Sequence, residues 1–171
     1  MPRLIILWIL VAMMPVAACC QQDRLARLKE LVLRSDSVFL VSHKMLGAVI
    51  TEGNRKRHTK LIDKNKIDQS LVIKKIAIGR TDRDTLAALL TQPNMDRTIE
   101  TAKCFLPAHA IVFLNKKRYS FIEICFTCQR IQTSNDITLT ESDFSRNKWT
   151  EIKRFFKNKG IGIDQSLIPA Q

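Results

Sequence analysis

Glycine and proline are scarce, five of each in 171 residues, which excludes a collagenous or Pro/Gly-rich disordered chain. So few glycines leave little material for a phosphate-cradling loop. The patterns G-x-S-x-G and H-E-x-x-H are also missing, so an ordinary hydrolase or nucleotide enzyme is disfavoured. Acids are in the minority, 16 Asp and Glu against 28 Lys and Arg. Beyond the first residues no apolar run approaches the roughly 20 residues that span a bilayer. There are no internal repeats. What is present is a 46% hydrophobic composition and a length suited to one modest domain with its own core.

The N-terminus has the layout of a secretory signal. Arg3 supplies a positive start, residues 4–14 form an unbroken apolar run of eleven, and Pro15 is followed by the small residues Val16, Ala17 and Ala18. Such a run reaches only about half way across a bilayer core, which favours a cleaved leader over a permanent span. Val16-Ala17-Ala18-Cys19 resembles a bacterial lipobox. The resemblance implies a bacterial lipoprotein, with Cys19 as the lipidated first residue of the mature chain, palmitate among its acyl chains, and a membrane anchor in the cell envelope. Because residue 20 is Cys and not Asp, it implies the outer membrane where the host has one. Plain secretion is the alternative, since Val16-x-Ala18 also fits a small-x-small cleavage site.

Loss of residues 1–18 removes one cation, Arg3, and no acid, lowering the net charge from +12 to +11. For an exported basic protein the nearest partners are anionic lipids and polyanionic envelope polymers. Nucleic acid is disfavoured, because no domain-sized recognition motif accompanies the charge. The densest run, Arg55-Lys56-Arg57-His58-x-Lys60, reads as a solvated loop.

The apolar spacing predicts a helix over residues 22–34 and a strand over 38–41. Residues 51–68 are polar, with little periodicity, and read as strand ends and loops. A strand is expected over 71–78 and a short helix over 82–91, the latter opened by a Thr81/Asp84 capping pattern. Residues 110–114 and 119–126 are the strongest strands and should form a hairpin about Asn115-Lys116-Lys117-Arg118; residues 130–133 extend the sheet. A second capping pattern, Thr140/Asp143, introduces a helix over 141–158 that stops at Gly160. Residues 164–171 read as frayed. The expected fold is a single α+β domain, a small antiparallel sheet packed against N- and C-terminal helices. The expected segments are a leader (1–18), a lipid-anchored N-terminus and first helix (19–36), the α+β domain (37–160) and a tail (161–171).

One constellation carries chemistry. With a two-residue turn at Lys116-Lys117, Leu114 faces Tyr119, Val112 faces Phe121 and Ala110 faces Glu123. That register brings Cys104, His109, Cys125 and Cys128 to one end of the sheet. Three readings stay open: a structural disulfide, expected from Cys104 to one of the pair; a metal site of three thiolates and an imidazole, suited to zinc; and a thiol-redox pair at Cys125-x-x-Cys128. Gln129 follows that pair where a c-type haem site would need His. Glu123 reads first as a solvent-facing residue on an edge strand, with a buried acid of raised pKa as the alternative. His43 and His58 receive no role.

The segments Cys104-x-x-Pro107-x-His109, Ile111-Val112-Phe113 and Ile124-Cys125-Phe126-x-Cys128 are similar to those of small exported bacterial proteins to which no activity is attached. The resemblance covers residues 100–130 and implies only that the Cys/His set acts as one unit. The expected function is a non-enzymatic envelope binding or structural protein, with a thiol-redox or metal-handling protein as the alternative.

Overall fold

A computed structural model of the chain describes residues 15–44, 50–52, 55–57, 60–94 and 105–163. Helix α1 runs over Pro15–Arg34, seven residues further toward the N-terminus than the apolar spacing marks. Leu28 and Val32 fall on its inner face, one turn apart. Strand β1 (Ser37–His43) follows at once. The stretch read as strand ends and loops carries four short strands in two hairpins: β2 (Ile50–Glu52) with β3 (Arg55–Arg57), and β4 (Ile62–Asp63) with β5 (Lys66–Ile67). The run 55–57 is therefore strand and not loop, while His58 lies outside the described residues.

Next come β6 (Val72–Ala77), α2 (Arg80–Thr91), β7 (His109–Asn115), β8 (Arg118–Cys125), β9 (Arg130–Thr133) and α3 (Arg146–Asn158). The main sheet is antiparallel, in the order β6-β1-β7-β8-β9, and with its helices it forms one α+β domain. The β7/β8 hairpin has the expected register, Leu114↔Tyr119, Val112↔Phe121 and Ala110↔Glu123.

The first capping pattern is absent, and the second forms but opens a different element. α2 starts after Gly79 with no side-chain cap, and Thr81 already lies inside the helix. The Thr140/Asp143 box does form, but it opens a short 3-10 turn, Glu141–Asp143. Phe144 then adopts an extended backbone, and the Ser145 hydroxyl accepts from Lys148 N–H to start α3 afresh. The single helix expected over 141–158 is split there because a second cap is available.

α3 ends as its sequence indicates. Gly160 sits at φ +75°, its N–H donates to the Lys157 carbonyl and the Ile161 N–H to the Phe156 carbonyl. This closes the helix in a Schellman motif and turns Ile161 into the core. Ile163 is buried as well, so the packed chain runs on past the helix.

Strand alternation sorts the two sheet faces. Val38, Leu40, Ile111, Phe113, Ile122 and Ile124 face the helices and meet Val32, Leu86, Leu90, Trp149, Ile152 and Phe156 in the main core. On the opposite face Val41, Ala110 and Val112 pack with Leu61 and Ile67 of the β4/β5 hairpin.

That small hairpin is docked by its tip. Asn65 donates through Nδ2 to the Lys117 carbonyl and accepts through Oδ1 from Tyr119 N–H (2.7 Å). Both turns are of type I′: Lys64, Asn65, Lys116 and Lys117 all have positive φ, between 45° and 68°. Asn-Gly is the usual choice there, and a side chain such as Lys in this region costs about 1 kcal/mol. The same tip is tied to the end of α1, because Lys116 N–H donates to the Asp36 carboxylate at 2.7 Å.

A buried charge node joins the three helices. Asp143 accepts from the Arg24 guanidinium of α1 and from Thr140 N–H (2.9 Å). Lys148 of α3 is 1% exposed, and its Nζ donates to the carbonyls of Asp143 (2.6 Å) and of Leu90 (3.2 Å), one of the last carbonyls of α2. Burial pulls the Lys148 ammonium down to about 8; Asp143 works against that fall and Arg24 adds to it.

Candidate functional site

The cysteine- and histidine-bearing residues gather where β1 and β8 end and β7 begins. Ser42 pairs with His109, and His109 with Ile124, one residue short of Cys125. His43 N–H donates to the Ala108 carbonyl (2.9 Å), so His43 belongs to this end too.

Cys125 and Cys128 are joined to each other, with an S–S separation of 2.07 Å and Cα atoms 5.3 Å apart. The disulfide expected between Cys104 and one of this pair is thus replaced by one within the pair. The loop between β8 and β9 is short enough to close on itself, with Gln129 in the left-handed region at φ 52° and Cys125 opposite Arg130 across the strands. Cys104 lies outside the described residues. Both sulfur-bearing residues are buried, at 0% and 4% exposure.

His109 shares the end with the cysteines but not the face. As the direct partner of Ile124 it points to the helix side, where its ring meets Phe126 and Phe156 edge-on at 5.1 and 5.9 Å. Alternation turns Cys125 to the other side. The Nε2 of His109 lies 2.8 Å from the Gly162 carbonyl, which it satisfies as a donor. Burial lowers its pKa, the Gly162 bond works to raise it and the Lys153 charge to lower it, so the ring is neutral at pH 7. His43, passed over in the sequence, is 1% exposed. Burial lowers its pKa first; its Nδ1 contact with the Lys44 carbonyl (2.9 Å) opposes this and the charge of His109 adds to it. Among the described residues its Nε2 has no hydrogen-bond partner. Only the pairing of β1 with β7 reveals this neighbour, and no local motif announces it.

Glu123 is not on an edge strand. β8 lies between β7 and β9, and Glu123 sits on the small-core side opposite Ala110 and Gln132 at 7% exposure. Among the described residues no cation makes an ion pair with it. Burial therefore pushes its carboxyl up to about 7.

Among the described residues no group of three His, Cys, Asp or Glu side chains is placed to hold a metal ion. A closed disulfide offers no thiolate, and His109 is turned to the helices. A cleft of about 390 Å³ lies between Arg24, Arg27 and Leu28 of α1 and the stretch bearing Asp136 and Ile137. Burial works to raise the Asp136 pKa, but hydrogen bonds from Ser120 and Ser134 outweigh it and hold the acid ionised. Among the described residues no helix is long and apolar enough to cross a membrane. Compared with protein-family models, curated proteins and solved structures, the chain finds no match.

Proposed function

We propose that the chain is an exported lipoprotein, anchored to the envelope membrane through Cys19, whose α+β domain serves as a non-enzymatic binding or structural module. The observation that carries the reading is the Cys125–Cys128 disulfide. Bonds of this kind persist in oxidising compartments, and the leader pattern of residues 1–18 points to the same place. The test is to express the full chain and its Cys19→Ala variant, label with palmitate, and sediment the membranes. The native chain should carry label and pellet with membranes, while the variant should lose both. A variant that still pellets would remove lipidation as the anchor.

The x-x spacing of the bonded cysteines favours a second reading, a thiol-redox pair. The two roles separate on replacement of both cysteines. A structural bond closing so short a loop is worth about 2 kcal/mol by loop entropy. Cys125→Ala with Cys128→Ala should lower the unfolding free energy by that amount in denaturant titration. The native protein should also resist reduction by glutathione while folded, since neither sulfur is reachable. Ready reduction of the folded protein, with no loss of stability in the double variant, would favour the redox role.

A further inference from the structure

The two stacked type I′ turns put Lys64, Lys66, Lys116, Lys117 and Arg118 at one tip, all exposed. They are held close because Asn65, between two of the lysines, is bonded to Lys117 and Tyr119. None of the five takes part in an ion pair among the described residues. The acids nearby are few. Asp36 is occupied by Lys116 N–H, Asp63 lies across from Lys66 in the β4/β5 hairpin, and Asp136 feels the charge of Arg118. Three of these lysines occupy left-handed backbone positions where Asn or Gly would fit without strain. A turn chosen for stability alone would not place cations there, and backbone strain tends to persist where a surface is used.

We propose that this tip is a docking surface for a linear, phosphate-bearing polymer of the cell envelope. Lysine ammoniums are compact point charges that bind phosphate without demanding a fixed fork geometry, which suits a chain of repeating phosphates. Bases to stack on would call for exposed aromatic side chains, and among the described residues the aromatic at the tip, Tyr119, is half-buried. The polymer is favoured over the anchoring membrane by distance. Cys19 and Arg34 lie fifteen residues apart on α1, about 22 Å along a helix, and the tip is fastened just past Arg34 through Asp36. The compartment of this polymer rests on the export reading above; the binding itself does not.

The test uses the full chain in detergent, titrated with long-chain inorganic polyphosphate at several salt concentrations. Phosphatidylcholine vesicles with and without phosphatidylglycerol form the second arm. Lys116→Asn with Lys117→Gly should weaken polyphosphate binding at least tenfold and make the slope of log affinity against log salt shallower by about 2. The same change should raise the melting temperature by about 2–4 °C, so lost binding cannot be put down to lost folding. Lys64→Gln with Lys66→Gln, on the other hairpin, should weaken binding likewise. Unchanged affinity and slope in both variants would overturn the proposal. So would a loss confined to phosphatidylglycerol vesicles, which would make the tip a lipid-docking surface. Membrane sedimentation of Cys19→Ala is independent of these results and tests the anchor alone.

Discussion

Glu123→Gln should stabilise the protein by about 3 kcal/mol at pH 8 and by only about 1 kcal/mol at pH 5. The side chain keeps its size and loses only its charge. In the fold burial pushes the carboxyl up to about 7, against 4.5 in the unfolded chain. Below pH 4.5 both states hold the proton and burial of the group costs little. Between 4.5 and 7 the unfolded chain releases the proton and the fold retains it, so stability falls as the pH rises. Above 7 the fold carries the full cost of a buried carboxylate. Glutamine removes that slope. Thermal melts at the two pH values, at fixed ionic strength, should show a gain of roughly 5–10 °C at pH 8 and much less at pH 5. An equal gain at both, or a loss at pH 8, would mean that the carboxylate has a favourable role in the fold. The histidines act in the opposite sense. With pKa values lowered from 6.5, His43 and His109 leave the unfolded chain to take up protons first as the pH falls below 6.5, so stability drops on the acid side in the native protein and the variant alike.

The second large effect is at the charge node. Asp143→Ala should lower the unfolding free energy by about 3–5 kcal/mol, because it strands two cations at once. Arg24 loses its carboxylate, Lys148 loses an opposing charge that acts on it, and Thr140 loses the acceptor of its N–H. Lys148→Met should cost less, since the Arg24–Asp143 pair survives it. Urea titration of the two single variants and the double variant should therefore give a favourable coupling between Asp143 and Lys148, above about 0.5 kcal/mol. A signature in pH accompanies it. The Lys148 pKa of about 8 lies below the 10.5 of an unfolded lysine, so native stability rises as the pH climbs from 8 to 10.5 and the fold sheds its buried charge first. Without Asp143 that rise should start at lower pH. Additive losses, with no change in the alkaline limb, would show that the three residues act separately.

The hairpin was readable to the residue because a two-residue turn between alternating strands leaves one register that buries the right face. The same reasoning brought His109 and the cysteine pair to one end of the sheet. It could not keep them on one face, since His109 pairs with Ile124 and Cys125 is the next residue along. His43 was hidden because its place depends on β1 pairing with β7, more than sixty residues downstream. The β4/β5 hairpin was hidden because strands of two residues are too short for alternation to show. Glu123 and Lys148 were misjudged or missed for a shared reason: composition marks a residue as charged, and only the packing around it decides whether the charge meets water.

The route by which the core closes bears on the timing of folding. Strand β1 pairs with the central strand β7, and the cover of the sheet's helix face is completed by Trp149, Ile152, Phe156, Ile161 and Ile163, with Gly162 fastened to His109. Of the three helices on that face, α3 and the stretch that follows it are synthesised last. A nascent chain missing that stretch leaves part of the helix face uncovered, so the core closes only once residue 163 has left the ribosome. Until then part of the core faces water, and the last stretch to be made is the one that completes the fold.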